Sequence, residues 1–509
     1  MHEAAYLLAA FALGSQMLAL VRDHLLAKQF GASHTLDVYY AAFRIPDFLF
    51  ATIASLLSLY ALLPVLTKLE QVSEGRMVVF LRQILLLFFV GMGSISLIVF
   101  FFVPEIVHLI APKLESAELV LLVRILLLQP IFLGASNILA SLTQLRRRFF
   151  LYSISPLLYN VGIIFGILAL YPNMGVVGLG WGVVLGAFLH VCVQLPFFLH
   201  EKVDKALPNR ELMYEFFSVL ALSVPRTLAL AAGQISLFAL VGIASYLSSG
   251  SITIFMFAYN LQAVPLTIIG VSYSVAAFPT LARLHASGNL EEFNRYITTA
   301  IRHIFFWSIP ATVFIIVLRA QLVRVILGAG AFDWGATRLT AAALALFILS
   351  LAAQSISLLI ARGYYAAGNT RKPLYYGILD VVVSVVSAGV CLTIFKTNPF
   401  IQNFVEALLR VSDVPGTIVL MLSLGYALGS IVEFIVAYYF FVKDFNLSNI
   451  RLGTLIFQSF SASIIGGAAT YVVLAVTGTA GEINTTFWLM IQGAGAGLFG
   501  LAIDRKSVV

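Results

Sequence analysis

MVVFLRQILLLFFVGMGSISLIVFFFVP, residues 77–104, carries one charge, Arg82, near its start and then runs to Pro104 without another. About twenty mainly apolar residues, rising 1.5 Å each, cross about 30 Å of hydrocarbon. Stretches of the same kind recur near 3–21, 36–66, 117–143, 151–170, 174–200, 216–247, 251–281, 299–327, 334–362, 373–396, 416–442, 453–478 and 483–503. The segments 105–115 and 398–412 read as interfacial connections. The fold class is therefore an all-α polytopic membrane protein of about fourteen transmembrane helices.

Composition agrees with this reading. Of 509 residues, 61% are hydrophobic and 10% charged, against about 25% charged in soluble domains. Cys192 and Cys391 lie in apolar runs without metal-ligand spacing and read as packing residues. The net charge of +7 does not point to nucleic acid, because the basic residues sit in short loops between apolar runs. Residues 1–13 lack a basic leader and continue apolar to Val21, so they read as a first span and not a signal peptide.

Basic residues also orient the chain. With the N-terminus cytoplasmic, nineteen fall on even-numbered loops and the C-terminus, among them Arg146, Arg147, Arg148, Lys202 and Lys205. Eight fall on odd loops: Arg22, Lys28, Lys113, Arg319, Arg324, Arg338, Lys396 and Arg410. This positive-inside bias predicts both termini in the cytoplasm. A faint repeat supports a two-lobe organisation. Residues 42–46 with 63–69 resemble 258–262 with 278–284, and 157–161 resemble 378–381, at offsets of 215 to 220. Six spans separate each pair, which makes the repeats parallel. The expected domains are an N-terminal lobe at 1–205, a C-terminal lobe at 206–445, and an appended helix pair with a cytoplasmic tail at 446–509.

An ionisable group at mid-membrane costs at least about 2.5–3.5 kcal/mol, so those that persist usually face a cavity or a partner. Arg22 and Asp23 follow the first span. Asp37, Arg44 and Asp47 open the second, with spacings that put them near one helix face, and Pro46 is expected to kink that helix. They line a polar vestibule or form an interfacial ion-pair cluster. Arg226 follows Pro225; it binds an anion or snorkels to headgroups. Asp380 and Glu433 take up a coupling proton or cation, or make interhelical hydrogen bonds. No phosphate-binding glycine loop with lysine and no HExxH pattern occurs. The chain thus reads as a transporter without catalytic residues, metal or cofactor.

The opening block resembles the MurJ/MviN family, the lipid II flippases of peptidoglycan synthesis. The match runs through Leu20-Val21-Arg22-Asp23, Phe30-Gly31-Ala32-Ser33, Asp37 and Ala42-Phe43-Arg44-Ile45-Pro46-Asp47, ending near Leu63-Pro64-Val65-Leu66. Arg148-Phe149 with Pro156 and Asn160, Gly233-Gln234-Ile235-Ser236, and residues 364–373 also fit. The resemblance implies the fold of the multidrug/oligosaccharidyl-lipid/polysaccharide exporter superfamily. It implies a bacterial cytoplasmic-membrane location and alternating access by two lobes. The partners it implies are an anionic polyprenyl-linked glycan as substrate and the surrounding membrane lipids. Arg22, Asp23, Asp37 and Arg44 carry over as cavity residues, the acids orienting the arginines. The chain departs from the family at Gln16, at Phe50 and Ala51, and at Asn260, where the family usually has arginine. An acidic position falls at Ala263. Export of another lipid-linked saccharide, or of a drug or metabolite coupled to a cation, is the alternative.

Overall fold

The computed structural model describes residues 2–57, 59–114, 116–201, 210–447 and 452–478. Among them every regular element is helical. Among the described residues nine helices are long and apolar enough to cross a membrane, or ten if the pair Trp334–Ile348 and Leu351–Ala366, bent by 45°, counts as one span. The span expected at 483–503 and the C-terminal tail lie outside the described residues. The chain groups into two compact units.

The first unit holds residues 1–26 and 33–246. Its helices are α1 (His2–Phe30), α2 (His34–Ala42), α3 (Arg44–Thr52), α4 (Leu59–Val72), α5 (Glu74–Ile110), α6 (Ala117–Leu126), α7 (Gln129–Leu145), α8 (Phe149–Phe165), α9 (Tyr171–Met174), α10 (Val176–Cys192), α11 (Leu195–Leu199) and α12 (Arg210–Ala244). The span expected at 36–66 is broken into pieces. Pro46 has no N–H for the Ala42 carbonyl and its ring crowds that group. The helix accordingly breaks at Phe43, four residues upstream of Asp47, whose amide bonds Phe43 O at 2.8 Å. A 3₁₀ turn at Ala54–Leu57 then precedes α4. The connection expected at 105–115 is partly helical, because α5 runs through Pro104 to Ile110. Leu86, Phe101 and Leu109 on α5 are 65%, 64% and 82% exposed, as expected of a face that meets lipid.

Contacts group the chain differently from the repeat. The sequence places residues 206–246 in the second lobe, whereas α12 packs on α3, α4 and α5. Lys68 on α4 pairs with Glu215 on α12, and Ser55 Oγ donates to Thr227 Oγ1 at 3.2 Å. Arg146, from the triple-arginine run, ties Glu70 at 2.8 Å and Glu201 at 3.2 Å.

The second unit holds residues 27–32 and 247–509. It comprises the last turn of α1 with α13 (Ser251–Leu266), α14 (Ser272–Ala286), α15 (Leu290–Leu327), α16 (Trp334–Ile348), α17 (Leu351–Ala366), α18 (Arg371–Thr397), α19 (Pro399–Leu409), α20 (Leu420–Asp444) and α21 (Leu452–Gly478). Gly31, at φ 63°, ends α1 in the left-handed region. A Cβ there would strike the Ala331 carbonyl, so both the backbone angle and the close approach require glycine. The motif at 364–373 also has a structural basis. Tyr364 is buried and donates to Asp444 Oδ2 at 2.8 Å, and Lys372 pairs with the same carboxylate.

Each unit contains one closely packed helix pair built from small residues. In the first, Gly162 and Gly166 face Gly186 and Gly182 across α8 and α10; a Cβ on Gly166 would lie 2.5 Å from Gly182 Cα. In the second, Ser384 and Ala388 on α18 face Gly429 and Gly425 on α20, and a Cβ on Gly425 would lie 2.6 Å from Ala388 Cα. Without side chains at the contact the backbones approach closely. The offset from Gly162 to Ser384, and from Gly166 to Ala388, is 222 residues, close to the repeat read in the sequence.

Candidate substrate-binding site

In the first unit, four helices bring polar groups into an apolar interior. From α1, Arg22 donates through Nε to Asp23 Oδ1 at 2.9 Å and approaches it through Nη2 at 2.8 Å. Its Nη1 donates to Asn160 Oδ1 on α8 at 3.2 Å. Asn160 is anchored in turn, donating through Nδ2 to Pro156 O at 3.1 Å and to Ser15 Oγ at 3.4 Å. From α3, Arg44 donates through Nε to Tyr40 O at 3.3 Å and pairs with Asp47 at 3.3 Å. Gln129 of α7 donates to the other oxygen of Asp47 at 3.4 Å. Tyr40 lies within electrostatic range of both Arg22 and Arg44, and Tyr159 within range of Arg22 and Asp47. The two ion pairs therefore belong to one cluster.

Burial gives the cluster its energetic character. The side chains of Asp23 and Arg44 are 5% and 8% exposed, those of Arg22 and Asp47 19% and 26%. Burying such pairs seldom stabilises a fold over an apolar equivalent, so packing stability alone does not account for them. The geometry prepares the guanidiniums: Asp23 and Asn160 fix the Arg22 fork, Tyr40 O and Asp47 hold Arg44, and Arg44 also borders a small apolar recess with Ile45, Val107 and Phe238.

The sequence candidates fall out as follows. Arg22, Asp23 and Arg44 join this cluster, and Asp37 is 3% exposed on α2. The carboxylate paired with Arg44 is Asp47. Gln16 is half-buried on α1. Arg226 lies on α12, but its side chain is outside the described ones. Asn260, half-buried on α13, belongs to the second unit. So do Asp380 and Glu433. Asp380 accepts from Ser384 Oγ and Ser430 Oγ, both at 3.4 Å, and Glu433 lies within its electrostatic range. Gly429 allows the helix approach that puts Ser430 beside Asp380. Sequence reading assigned no site role to Asn160, Gln129 or Tyr159. Asn160 stood in the family motif, but its pairing with Arg22 spans 138 residues and left no local signal. Among the described residues no three His, Cys, Asp or Glu side chains form a metal cluster.

Comparison with known proteins agrees with this architecture. A family profile described as Lipid II flippase MurJ matches residues 26–492. The lipid II flippase MurJ of Burkholderia cenocepacia is 27% identical over 394 residues, covering 74% of this chain and 75% of the relative. The probable lipid II flippase MurJ of Thermotoga maritima is 26% identical over 455 residues, covering 81% and 89%. Among solved structures, a lipid II flippase MurJ in an inward closed conformation superposes with a TM-score of 0.73 at 20% identity, covering 99% of this chain and 98% of that one. An inward-facing multidrug resistance MATE family transporter follows at 0.68 and 17%, covering 85% and 94%. The helical, multi-pass architecture and the profile match across most of its length place this chain in the lipid II flippase MurJ family.

Proposed function

We propose that this protein flips lipid II, or a closely similar polyprenyl-linked glycan, across a bacterial cytoplasmic membrane by alternating access. It does so as a transporter, with no covalent step. The observation that carries the reading is the buried Arg22–Asp23–Asn160 and Arg44–Asp47 cluster. Guanidinium binds phosphate oxygens in a bidentate manner, and a pre-oriented pair suits a pyrophosphate. Asp23 and Asp47 keep the site near neutral when empty, and a substrate phosphate would compete with them for the arginines. Gln16 and Asn260, neutral where relatives are usually cationic, leave Arg22 and Arg44 to supply the charge; Arg226 is a third candidate. Two parallel six-helix repeats plus a C-terminal pair, with both termini cytoplasmic, complete the proposed topology.

Asp380 and Glu433 support one addition, uptake of a proton or cation that couples to transport. The two carboxylates lie on the packed helices α18 and α20, and ionisable groups within spanning helices often mark a proton or cation path. The alternative, cation-coupled export of drugs or metabolites, would rest on this pair alone.

Native mass spectrometry of the purified protein tests the main reading. Retention of lipid II by the wild type, and its loss in Arg22→Ala and Arg44→Ala, is the expected result. Wild-type retention in both variants, or export of small cations without lipid II retention, would overturn it.

A further inference from the structure

A second cationic site lies within the second unit. The ends of α15, α16, α19 and α21 enclose a cleft of about 390 Å³ into which Arg319, Arg338 and Arg410 converge. Arg338 is matched by acid: its Nη1 and Nη2 meet the two oxygens of Asp413 at 2.7 and 2.6 Å, and its Nε donates to Arg410 O at 3.1 Å. The other two arginines have no carboxylate partner among the described residues. Arg319 donates to the Ile316 and Leu409 carbonyls at 2.8 and 3.5 Å. Arg410 donates to Tyr471 Oη at 2.8 Å, with its guanidinium 5.8 Å from that ring's centroid. Arg319 and Arg410 lie within electrostatic range of each other, so two like charges face one space.

Helix capping explains part of this. Arg338 and Arg319 bond carbonyls at the C-terminus of α19, where cations are favoured. Capping does not explain Arg410. It occupies the left-handed position after α19, φ 60° and ψ 46°, where glycine is the least strained residue. Its guanidinium turns away from the helix end to Tyr471. A non-glycine residue held there, with its charge in a cleft shared with a second arginine, is strain placed where a ligand would use it.

The surroundings indicate what kind of anion. The cleft wall includes Val317, Leu408 and Leu474. Beside it, Phe400, Phe404 and Leu408 project from successive turns of α19 at 77%, 59% and 65% exposure, the pattern of a helix lying in a membrane interface. Val472 on α21 is 58% exposed. Guanidinium charge beside apolar walls and an exposed apolar helix face matches a phosphate that carries an acyl chain. We propose that this cleft binds the phosphate of an anionic membrane lipid. Arg319 and Arg410 take the phosphate oxygens, and the chain lies along Val317, Leu408 and Leu474. The site is separate from the Arg22–Arg44 cluster, and its test does not depend on lipid II.

The test reconstitutes full-length protein in nanodiscs of phosphatidylcholine with phosphatidylglycerol and counts retained lipids by native mass spectrometry. The wild type keeps phosphatidylglycerol in preference to phosphatidylcholine. Arg319→Gln and Arg410→Gly each lower its retention roughly tenfold, while Arg410→Lys keeps most of it. Arg410→Gly relaxes the backbone at φ 60°, so a loss there does not come from misfolding. Equal retention by wild type and the Arg319→Gln/Arg410→Gly double variant would overturn the proposal. So would equal retention of both lipids by the wild type. Thermal protection by inorganic phosphate equal to that by short-chain phosphatidylglycerol would overturn the lipid source in favour of a free anion.

Discussion

Arg22 on α1 and Asn160 on α8 are joined by a 3.2 Å hydrogen bond that fixes one side of a buried guanidinium. Asn160 is itself held from Pro156 and Ser15, so it transmits the position of α8 to the cation. A hydrogen bond to a charged group contributes about 1.5–3 kcal/mol. We expect Asn160→Ala to insert normally and to slow lipid II flipping in proteoliposomes by about tenfold or more. Asn160→Asp would add a second acid to Arg22 and slow it further. Wild-type rates in both variants would remove Asn160 from the site.

Arg44 makes two bonds that lysine cannot copy together, one from Nε to Tyr40 O and one from Nη2 to Asp47. Arg44→Lys should keep the fold and lose most transport. Arg44→Ala leaves Asp47 with Gln129 alone, which costs about 1–3 kcal/mol at its partial burial. The Arg44→Ala/Asp47→Asn pair should recover thermal stability and stay inactive. Recovery of transport along with stability would mean that the pair is structural.

These residues mark how far the sequence could be read. Hydropathy located the nine or ten spans found among the described residues, because lipid exposure demands long apolar helices. The i,i+3 spacing of Arg44 and Asp47 was enough to place them together. The Arg22–Asn160 bond was not legible, since nothing local links residues in different spans. The break at Phe43 was signalled only indirectly, by Pro46. Arg319, Arg338 and Arg410 looked like a scattered minority on odd loops; tertiary packing alone collects them into one cleft.

The close α8–α10 and α18–α20 pairs should be sensitive to a single methyl. A Cβ on Gly186 would meet the Tyr159 carbonyl, and a Cβ on Gly429 would meet Ser384. Gly186 meets backbone and Gly429 meets both the hydroxyl and the Cα of Ser384, so each alanine variant should cost about 1–3 kcal/mol. Thermal unfolding in detergent measures this. Gly186→Ala also shifts Tyr159 and Asn160 against Arg22, so its flipping rate should fall more than that of Gly429→Ala. Equal rates would separate helix packing from the site.

Asp413 tunes the charge of the arginine cleft. It is exposed, and hydrogen bonds from Arg338 hold its carboxyl below the ordinary value of 3.8. A depressed folded-state value means that the interaction is complete above the unfolded value and is lost as pH falls through the folded one. Anchoring of the α19 end should therefore be constant from about pH 5 to pH 8 and loosen only in stronger acid. Asp413→Asn removes that acid dependence from the thermal unfolding curve. It also releases Arg338, giving the cleft a third guanidinium without a carboxylate. Phosphatidylglycerol retention should then rise above the wild type, with the gain reversed when Arg338→Gln is added. A variant that lost lipid instead would show that Asp413 positions the cleft and does not compete for its charge.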